Sequence, residues 1–280
     1  MGSRPCPPFG ITKIEDHKFP PTGAPEMQSM LAGDIDVAYV GAAPVISALA
    51  TGLDAKIVAA VQVQGSDLVV RPEVNYTGPP EDLKGLTIAT FPPGTIQDTL
   101  LRDWLQANGI NPDTDVDIRP MGPPGDATVA ISESAVDAVF LPHPAPPSTI
   151  VAEGNGKIAV QSGEMEKDHA CCVLVVSGDL IRNHPDMVDQ IVRTHIKATE
   201  YVIANQNETA QIYHDMNKVD MAVIEDSFAT WDGRWITDPS IIITSVVDYT
   251  KVQADLGYID HPLTEDEIFD LSFYRKATEA

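Results

Sequence analysis

The sequence contains few basic residues and many acidic ones. Its 280 residues include 18 Lys and Arg against 41 Asp and Glu, which gives a formal net charge of −23 at pH 7. Nucleic-acid phosphates need a basic surface, so the composition argues against a nucleic-acid partner. An acidic chain binds an anion only where local hydrogen-bond donors overcome the overall field. An anion site in this chain therefore has to be built from local donors.

Long apolar runs and a disulfide framework are also missing. No apolar run reaches the roughly 18 residues needed to cross a bilayer, and the longest, such as residues 55–63, have strand length. The three cysteines, Cys6, Cys171 and Cys172, are odd in number and include an adjacent pair, which is not a disulfide framework. With 43% hydrophobic residues, the chain can build a sizeable core. We expect a soluble globular protein without direct membrane insertion.

Targeting and catalytic motifs are missing as well. The first residues lack the apolar segment of a signal peptide, so either an export signal has been removed or the protein is not exported. The sequence has no nucleophile elbow, no phosphate-cradling GxxxxGK motif, no GxGxxG and no HExxH. We therefore expect no enzyme activity, no cofactor and no metal.

Strand and helix patterns alternate through the first half of the chain. A β-α-β-α-β order covers residues 11–71, and after a loop rich in Pro and Gly the alternation restarts at residue 86. Such alternation is typical of a mostly parallel sheet covered by helices. After a strand at residues 171–177 the patterns are mainly helical. We predict an α/β fold of two lobes, each a mostly parallel sheet flanked by helices.

Two predicted crossings, near residues 71–83 and 163–170, divide these lobes. The first lobe is expected to contain residues 1–82 and 170–280, including the C-terminal helices. Residues 83–169 form the inserted second lobe in this prediction. Ligands of such folds bind in the cleft between the lobes, outside the carboxyl ends of the strands.

Two turns from a strand to a helix are candidate ligand sites on opposite walls of this cleft. Their residues are Gly41, Ala42, Ala43 and Pro44 in the first turn, and Pro93, Gly94, Thr95 and Gln97 in the second. Small residues let a ligand approach the backbone, and the free N–H groups of a first helical turn can hold an anion. The alternative is that both are ordinary tight turns, with Thr95 only capping its helix.

Two histidines are further candidate ligand-binding residues. His143 lies in a proline-rich segment after a predicted strand, and its alternative is a surface-loop histidine. His169 lies near the second crossing, and we expect it to be a hinge residue beside the cleft. Its spacing to Cys171 and Cys172 matches no usual zinc signature. The alternative for the two cysteines is that they are small residues on a buried strand.

Several segments resemble the nitrate/sulfonate/taurine class of solute-binding proteins, which includes THI5-like binders. The segments are LAGDIDVAYVGAAP at residues 31–44, DLKGLTIA at 82–89, PGT at 93–95 and HPDMV at 184–188. The resemblance implies a periplasmic-binding-protein type II fold that captures a small anion such as a sulfonate, taurine or nitrate between its lobes. It further implies an extracytoplasmic monomer that delivers this ligand to the membrane permease of an ABC importer.

Two features depart from that class. Its members begin with a strand, a ligand-lining loop and a helix ahead of the strand at residues 11–15. Only ten residues precede that strand here, so we expect the first lobe to lack this unit or to fill its place with another chain. Where the class often has a W-E-P segment, this chain has Pro142, His143 and Pro144.

Two other functions stay open on the sequence. One is a THI5-like enzyme, or binder, for a thiamine pyrimidine precursor. His169 and the adjacent cysteines weakly resemble the reactive histidine and the cysteine-rich segment of those enzymes. The other is a degenerate protein that keeps the fold but binds nothing.

Overall fold

The computed structural model describes residues 13–20 and 22–279. The expectation of a missing or substituted first strand concerns residues that lie outside this part, and it stays a prediction. The strand expected at residues 11–15 is not formed over residues 13–15, which have no regular secondary structure. Ile14 is 69% exposed there, so no apolar face is available to pair this segment with a sheet.

Within the described residues, the strands form two separate sheets. In chain order they are β1 (Val37–Gly41), β2 (Ala55–Val63), β3 (Ser66–Val70), β4 (Thr87–Thr90), β5 (Asp117–Pro120), β6 (Ala138–Pro142), β7 (Lys157–Gln161), β8 (Ala170–Ser177) and β9 (Arg234–Trp235). The first sheet has the order β1-β8-β2-β9, and the second has the order β5-β4-β6-β3-β7. The predicted α/β fold with two sheets is thereby confirmed.

Helices connect and cover the strands. They are α1 (Ala24–Leu31), α2 (Ala42–Ala50), α3 (Ile96–Ala107), α4 (Pro124–Ser132), α5 (Pro146–Ala152), α6 (Ser162–Met165), α7 (Gly178–Asn183), α8 (Pro185–Ala204), α9 (Gln206–Asn217), α10 (Met221–Thr230), α11 (Ile243–Asp255), α12 (Glu265–Ile268) and α13 (Ser272–Thr278). In the part of the chain that the structure describes, none of these helices has the length and hydrophobicity to cross a membrane.

The direction of the strands in the first sheet differs from the prediction. β8 lies between β1 and β2 and runs antiparallel to both, and β9 is antiparallel to β2. β1 and β2 are joined by the crossover helix α2, so they run parallel to each other but are not neighbours. The returning strand β8 separates them, which local sequence patterns do not reveal. The second sheet is mixed: β4 is parallel to β5 and β6, whereas β3 is antiparallel to β6 and β7.

The crossings between the sheets are short. Because β2 ends at Val63 and β3 begins at Ser66, the chain passes from the first sheet to the second at Gln64 and Gly65. β3 therefore belongs to the second sheet, although it lies within residues 1–82 of the expected first lobe. The remaining division into lobes stays a prediction.

Each sheet is covered by core residues on both faces. The first sheet packs against α2 and α11 on one face and against α8 and α13 on the other. The second sheet packs against α3 on one face and against α4 and α5 on the other. β1 ends at Gly41 and β4 at Thr90, and each of these strands is followed by one of the candidate turns.

The core of the second sheet generates a stability prediction. Phe140 on β6 is fully buried in the cluster that includes Leu100 and Leu105 of α3. Replacement by alanine removes the ring and leaves a cavity, so Phe140→Ala should lower the free energy of unfolding by about 3–5 kcal/mol. The control is Val129→Ala on α4, where Val129 is 60% exposed and the change should stay within about 0.5 kcal/mol. Urea unfolding followed by circular dichroism measures both, and equal midpoints would contradict the packing.

Candidate functional site

The first candidate turn lies where β1 ends and α2 begins. Gly41 is the N-cap in an extended conformation, and Ala42 and Ala43 are the first two helical residues, both fully buried. Pro44, where we expected the helix to begin, is its third residue, so the helix begins two positions earlier. Proline has no N–H, so the free donors of this first turn are the N–H groups of Ala42 and Ala43.

The second candidate turn lies between β4 and α3. Thr95 is the N-cap of α3, and its Oγ1 accepts the Asp98 N–H at 3.3 Å. The same hydroxyl donates to the Pro92 carbonyl at 2.8 Å. Gly94 has a φ of 82°, which favours glycine, while Pro93 before it is exposed. The Thr95 hydroxyl is thus committed to holding the turn, and a direct contact to a ligand stays a prediction.

The two turns face each other across the junction of the sheets. A Cβ atom placed on Gly41 would lie 3.2 Å from Ile96 Cγ1, and one placed on Gly94 would lie 3.4 Å from Ser47 Oγ. Ile96 belongs to α3, yet it is part of the core cluster of the first sheet. We call residues 41–44 and 93–97 the facing helix starts, since Gly41 and Ile96 lie at the starts of α2 and α3, whereas Ser47 is the sixth residue of α2.

Gln97 and Ser66 tie the second turn to the crossing. Gln97 is 5% exposed, and its Nε2 donates to Ser66 Oγ at 3.1 Å. The Ser66 N–H donates to Ser162 Oγ at 3.0 Å. A polar chain therefore runs from the start of α3 to both segments that connect the sheets.

His143 is buried within a hydrogen-bond network and is not an exposed loop residue. Its Nε2 lies 2.7 Å from Asp67 Oδ2, and its Nδ1 lies 2.6 Å from Ser227 Oγ. Ser227 also accepts the Ala145 N–H at 3.1 Å. The consistent assignment is that Nε2–H donates to Asp67 while the Ser227 hydroxyl donates to Nδ1. Both ring nitrogens are engaged, so the proposed ligand role of His143 would require one of these bonds to break.

Asp67, His143 and Ser227 are the three residue types of a hydrolytic triad, but a substrate cannot reach them. A nucleophilic serine must reach the substrate, whereas Ser227 and Asp67 are both fully buried. This arrangement instead joins β3, the end of β6 and α10. It is a structural network that attaches α10 to the second sheet.

His169 lies at the second crossing, beside the first. Its carbonyl accepts the Gln64 N–H at 3.0 Å, and its Nδ1 lies 2.9 Å from the Tyr249 hydroxyl. Among the residues that the structure describes, its buried Nε2 has no hydrogen-bond partner. Burial lowers the pKa of His169 to about 4. The residue is therefore a neutral histidine at the second crossing, and its roles as a hinge residue and as a ligand contact stay predictions.

Asp232 is a further residue at the crossings, which the sequence did not indicate. Its carboxylate accepts the Gly65 N–H at 3.0 Å, the Gly163 N–H at 2.5 Å and Gln64 Nε2 at 3.1 Å. One carboxylate thus joins both crossings. A Cβ atom on Gly163 would lie 2.0 Å from Gln64 Nε2, which explains why glycine occupies this position.

A third contact joins α3 to the segment after α11. Asp98 is 1% exposed, and it accepts the Tyr258 O–H at 2.7 Å and Arg102 Nε at 2.9 Å. This hydrogen bond raises the pKa of Tyr258, after the larger effect of burial. Asp98 and Tyr258 were likewise not predicted, because an Asp in a first helical turn has an ordinary role in stabilising the helix.

Carboxylates surround the contact between the helices. Burial and the charges of Asp248 and Asp255 on α11 raise the pKa of Asp103 on α3. Burial raises the pKa of Glu26 on α1 to about 7, against the hydrogen bond from the Tyr39 N–H. Among the residues the structure describes, no group of three or more His, Cys, Asp or Glu is arranged to hold a metal ion. The local field therefore opposes an anion except where N–H groups point at it.

Several solved structures with the same fold are solute-binding proteins. The ligand-binding component of an ABC-type import system from Staphylococcus aureus, solved with zinc, has a TM-score of 0.75 at 20% identity and covers 91% of this chain and 86% of its own. The periplasmic aliphatic sulphonate binding protein SsuA from Escherichia coli has a TM-score of 0.77 at 16% identity, with coverage of 91% and 86%. These likenesses confirm the two-lobed solute-binding fold.

The chain belongs to the NMT1-like family, whose model matches residues 9–214. A Bacillus subtilis protein with the provisional name of an aliphatic sulfonates-binding protein is 26% identical over 270 residues. The match covers 92% of this chain and 76% of that protein. The nitrate/nitrite binding protein NrtA of Nostoc sp. PCC 7120 is 29% identical over 147 residues. That match covers 51% of this chain and only 33% of the Nostoc protein. These named relatives are binding proteins rather than enzymes.

The Asp232 carboxylate generates a prediction about the hinge. Asp232→Asn replaces one acceptor oxygen with an NH₂ group that faces backbone N–H donors, so it should lower the free energy of unfolding by about 1–3 kcal/mol. Asp226→Asn on the exposed face of α10 is the matched control and should change it by less than about 0.5 kcal/mol. Thermal unfolding of both variants tests this, and an unchanged Asp232→Asn protein would show that the carboxylate does not hold the crossings.

His169 generates a prediction about pH. The folded protein binds this proton near pH 4, whereas an unfolded histidine binds it near about pH 6.5. The unfolded state therefore takes up more protons between these values, and His169 makes the folded state less stable as the pH falls through that window. Glu26 acts in the opposite sense, because its raised pKa favours the folded state as the pH falls below about 7.

The comparison of wild type with His169→Gln cancels the contribution of Glu26. Urea unfolding at a series of pH values should show a shallower loss of stability in the variant between about pH 6.5 and 4. Parallel curves for the two proteins would contradict a buried neutral His169.

Proposed function

We propose that this protein is the solute-binding component of an ABC importer and that it captures a small oxyanion between the facing helix starts. The observation that carries the proposal is the contact between the starts of two helices from different sheets, Gly41 at the start of α2 and Ile96 at the start of α3. Helix N-termini present unpaired N–H groups and about half a positive charge each. Two of them aimed at one place make a site for a single small anion.

Backbone donors suit this position better than cationic side chains would. Arg102 is near the start of α3, but it is paired with Asp98 and Asp113. These ion pairs neutralise the charge of Arg102. The ligand would therefore be held by the N–H groups of Ala42 and Ala43 and by those of the first turn of α3. A bulky ligand does not fit where Gly41 lies this close to the Ile96 side chain, which favours a small anionic group at this point.

Opening and closing would occur at the two crossings. Gln64, Gly65 and residues 162–169 are the chain segments that join the sheets through β2, β3, β7 and β8, and Asp232 holds them together. Movement about so short a hinge separates the facing helix starts and admits a ligand, and closure around the ligand is the state a permease recognises. Capture and delivery need no catalytic group, in line with the buried state of Ser227 and Asp67.

The relatives supply the ligand classes. Proteins named for nitrate and for aliphatic sulfonates share the family or the fold with this chain. We therefore propose nitrate or a short sulfonate, taurine included, as the ligand, and an extracytoplasmic location with an ABC permease as the partner.

The ligand site is tested by calorimetry with nitrate, taurine, methanesulfonate, bicarbonate and a hydroxymethylpyrimidine as separate probes. One of the anions should bind to wild type. Gly41→Val should abolish binding, because the added side chain meets Ile96 and blocks the approach to the backbone. Gly125→Val is the control, since a Cβ atom there has no neighbour within 4 Å. Binding of the pyrimidine alone, or equal binding by both variants, would refute the proposal.

Thr95 gives a second, graded test. Thr95→Ala removes the cap and the bond to Pro92, which should weaken anion binding by about ten- to a hundredfold. Thr95→Ser keeps the hydroxyl and should bind within about threefold of wild type. Equal affinities for the alanine and serine variants, both folded by circular dichroism, would show that this turn does not hold the ligand.

A further inference from the structure

The side chains of Cys171 and Cys172 lie unexpectedly close together. Successive side chains of a β-strand point to opposite faces of the sheet, so adjacent cysteines on a regular strand hold their sulfur atoms apart. Here the two Sγ atoms are 3.6 Å apart, and both cysteines are free thiols. The predicted alternative, two small residues on an ordinary buried strand, does not explain this approach.

An irregularity in the sheet explains it. Cys172 is opposite Gln62 on β2, and the next paired residues are Ala170 and Val63. Cys171 is therefore the extra residue of a β-bulge, where two residues on one strand oppose one on the other. A bulge bends the strand and re-aims its side chains, which brings the two thiols to the same side.

The two thiols differ in exposure and in acidity. Cys172 is partly exposed, whereas Cys171 is 4% exposed. The hydrogen bond from Cys171 lowers the pKa of Cys172, and the nearby charge of Glu26 opposes this effect. The same bond, together with burial and the charge of Asp232, raises the pKa of Cys171 well above its usual value. Cys172 is thus the thiol that reacts first, and Cys171 is held behind it.

We propose that Cys171 and Cys172 are a vicinal dithiol that a disulfide oxidant converts into an intrachain disulfide. The Cys172 thiolate attacks one sulfur of the oxidant and releases a first thiol, which leaves a mixed disulfide on Cys172. Cys171 then loses its proton, attacks the Cys172 sulfur and releases the second thiol. The protein gives up two electrons and two protons, and the oxidant becomes two thiols.

The dithiol adjoins the facing helix starts. Gly41 pairs with Cys172 in the register of β1 and β8, and the Cys171 carbonyl lies 3.8 Å from a Cβ atom placed on Gly41. A ring closed between adjacent residues reshapes the backbone at this bulge. Oxidation is therefore expected to displace Gly41 and weaken anion binding. This consequence rests on the proposed function, whereas the disulfide itself does not.

The test uses a Cys6→Ser background, so that only the two thiols of β8 remain. The folded protein is treated with oxidised glutathione, and its intact mass and free thiols are measured. The expected product has lost two hydrogens, carries no glutathione, has no free thiol and returns to the starting mass with dithiothreitol. A covalent dimer, a stable glutathione adduct or two remaining free thiols would overturn the proposal.

Single variants in the same background test the order of attack. Cys171→Ser should stop at a stable glutathione adduct on Cys172, because the resolving thiol is missing. Cys172→Ser should react at least about tenfold more slowly, because only the buried thiol of raised pKa remains. Equal rates for the two variants would contradict the assigned roles.

Calorimetry of the reduced and oxidised protein tests the link to the ligand. Weaker binding of the anion after oxidation supports the link, and equal binding overturns it. If neither form binds an anion, the proposed function fails while the mass measurement still decides on the dithiol.

Discussion

The packing of Ile96 against Gly41 is the contact on which the site depends. Ile96 begins α3 of the second sheet, but it is 3% exposed because it lies in the core of the first sheet. Burial of one such side chain contributes about 1.5–3 kcal/mol, and a Cβ atom on residue 41 would lie only 3.2 Å from Ile96 Cγ1. In the proposed function, this contact brings the N-terminus of α2 next to that of α3.

Like charges on α3 and α11 repel each other across the contact between the two sheets, and hydrogen bonds across the same contact offset this repulsion. Asp103 on α3 faces Asp248 and Asp255 on α11, so closure brings like charges together. Tyr258 reaches across to Asp98 with a neutral hydroxyl, and Asp232 accepts N–H groups from both crossings. In the proposed site, an anion between the helix starts would meet N–H donors in front and carboxylates farther out. Such a site discriminates by size and by hydrogen-bond geometry, since the general field repels all anions alike.

Local patterns in the sequence predicted most of the order of the elements and the turns before α2 and α3, although not the exact start of α2. A glycine and small residues after an apolar strand, and a threonine before an amphipathic segment, mark turns whose geometry depends on near neighbours. Long-range partners decide the features that were missed. His143 is bonded to residues 76 and 84 positions away, and Asp232 is bonded to Gly65, 167 positions away. The place of β8 between β1 and β2 is likewise a long-range choice, which no local pattern encodes.

The central claim is that an anion is held by the first-turn N–H groups of α2 and α3, and NMR of the backbone amides tests it most directly. With selective ¹⁵N-alanine labelling, the amides of Ala42 and Ala43 are followed during titration with the anion that binds. The account predicts that these two signals shift in a saturable way, while that of the exposed, distant Ala229 on α10 does not. Saturable binding that leaves Ala42 and Ala43 unshifted would contradict it.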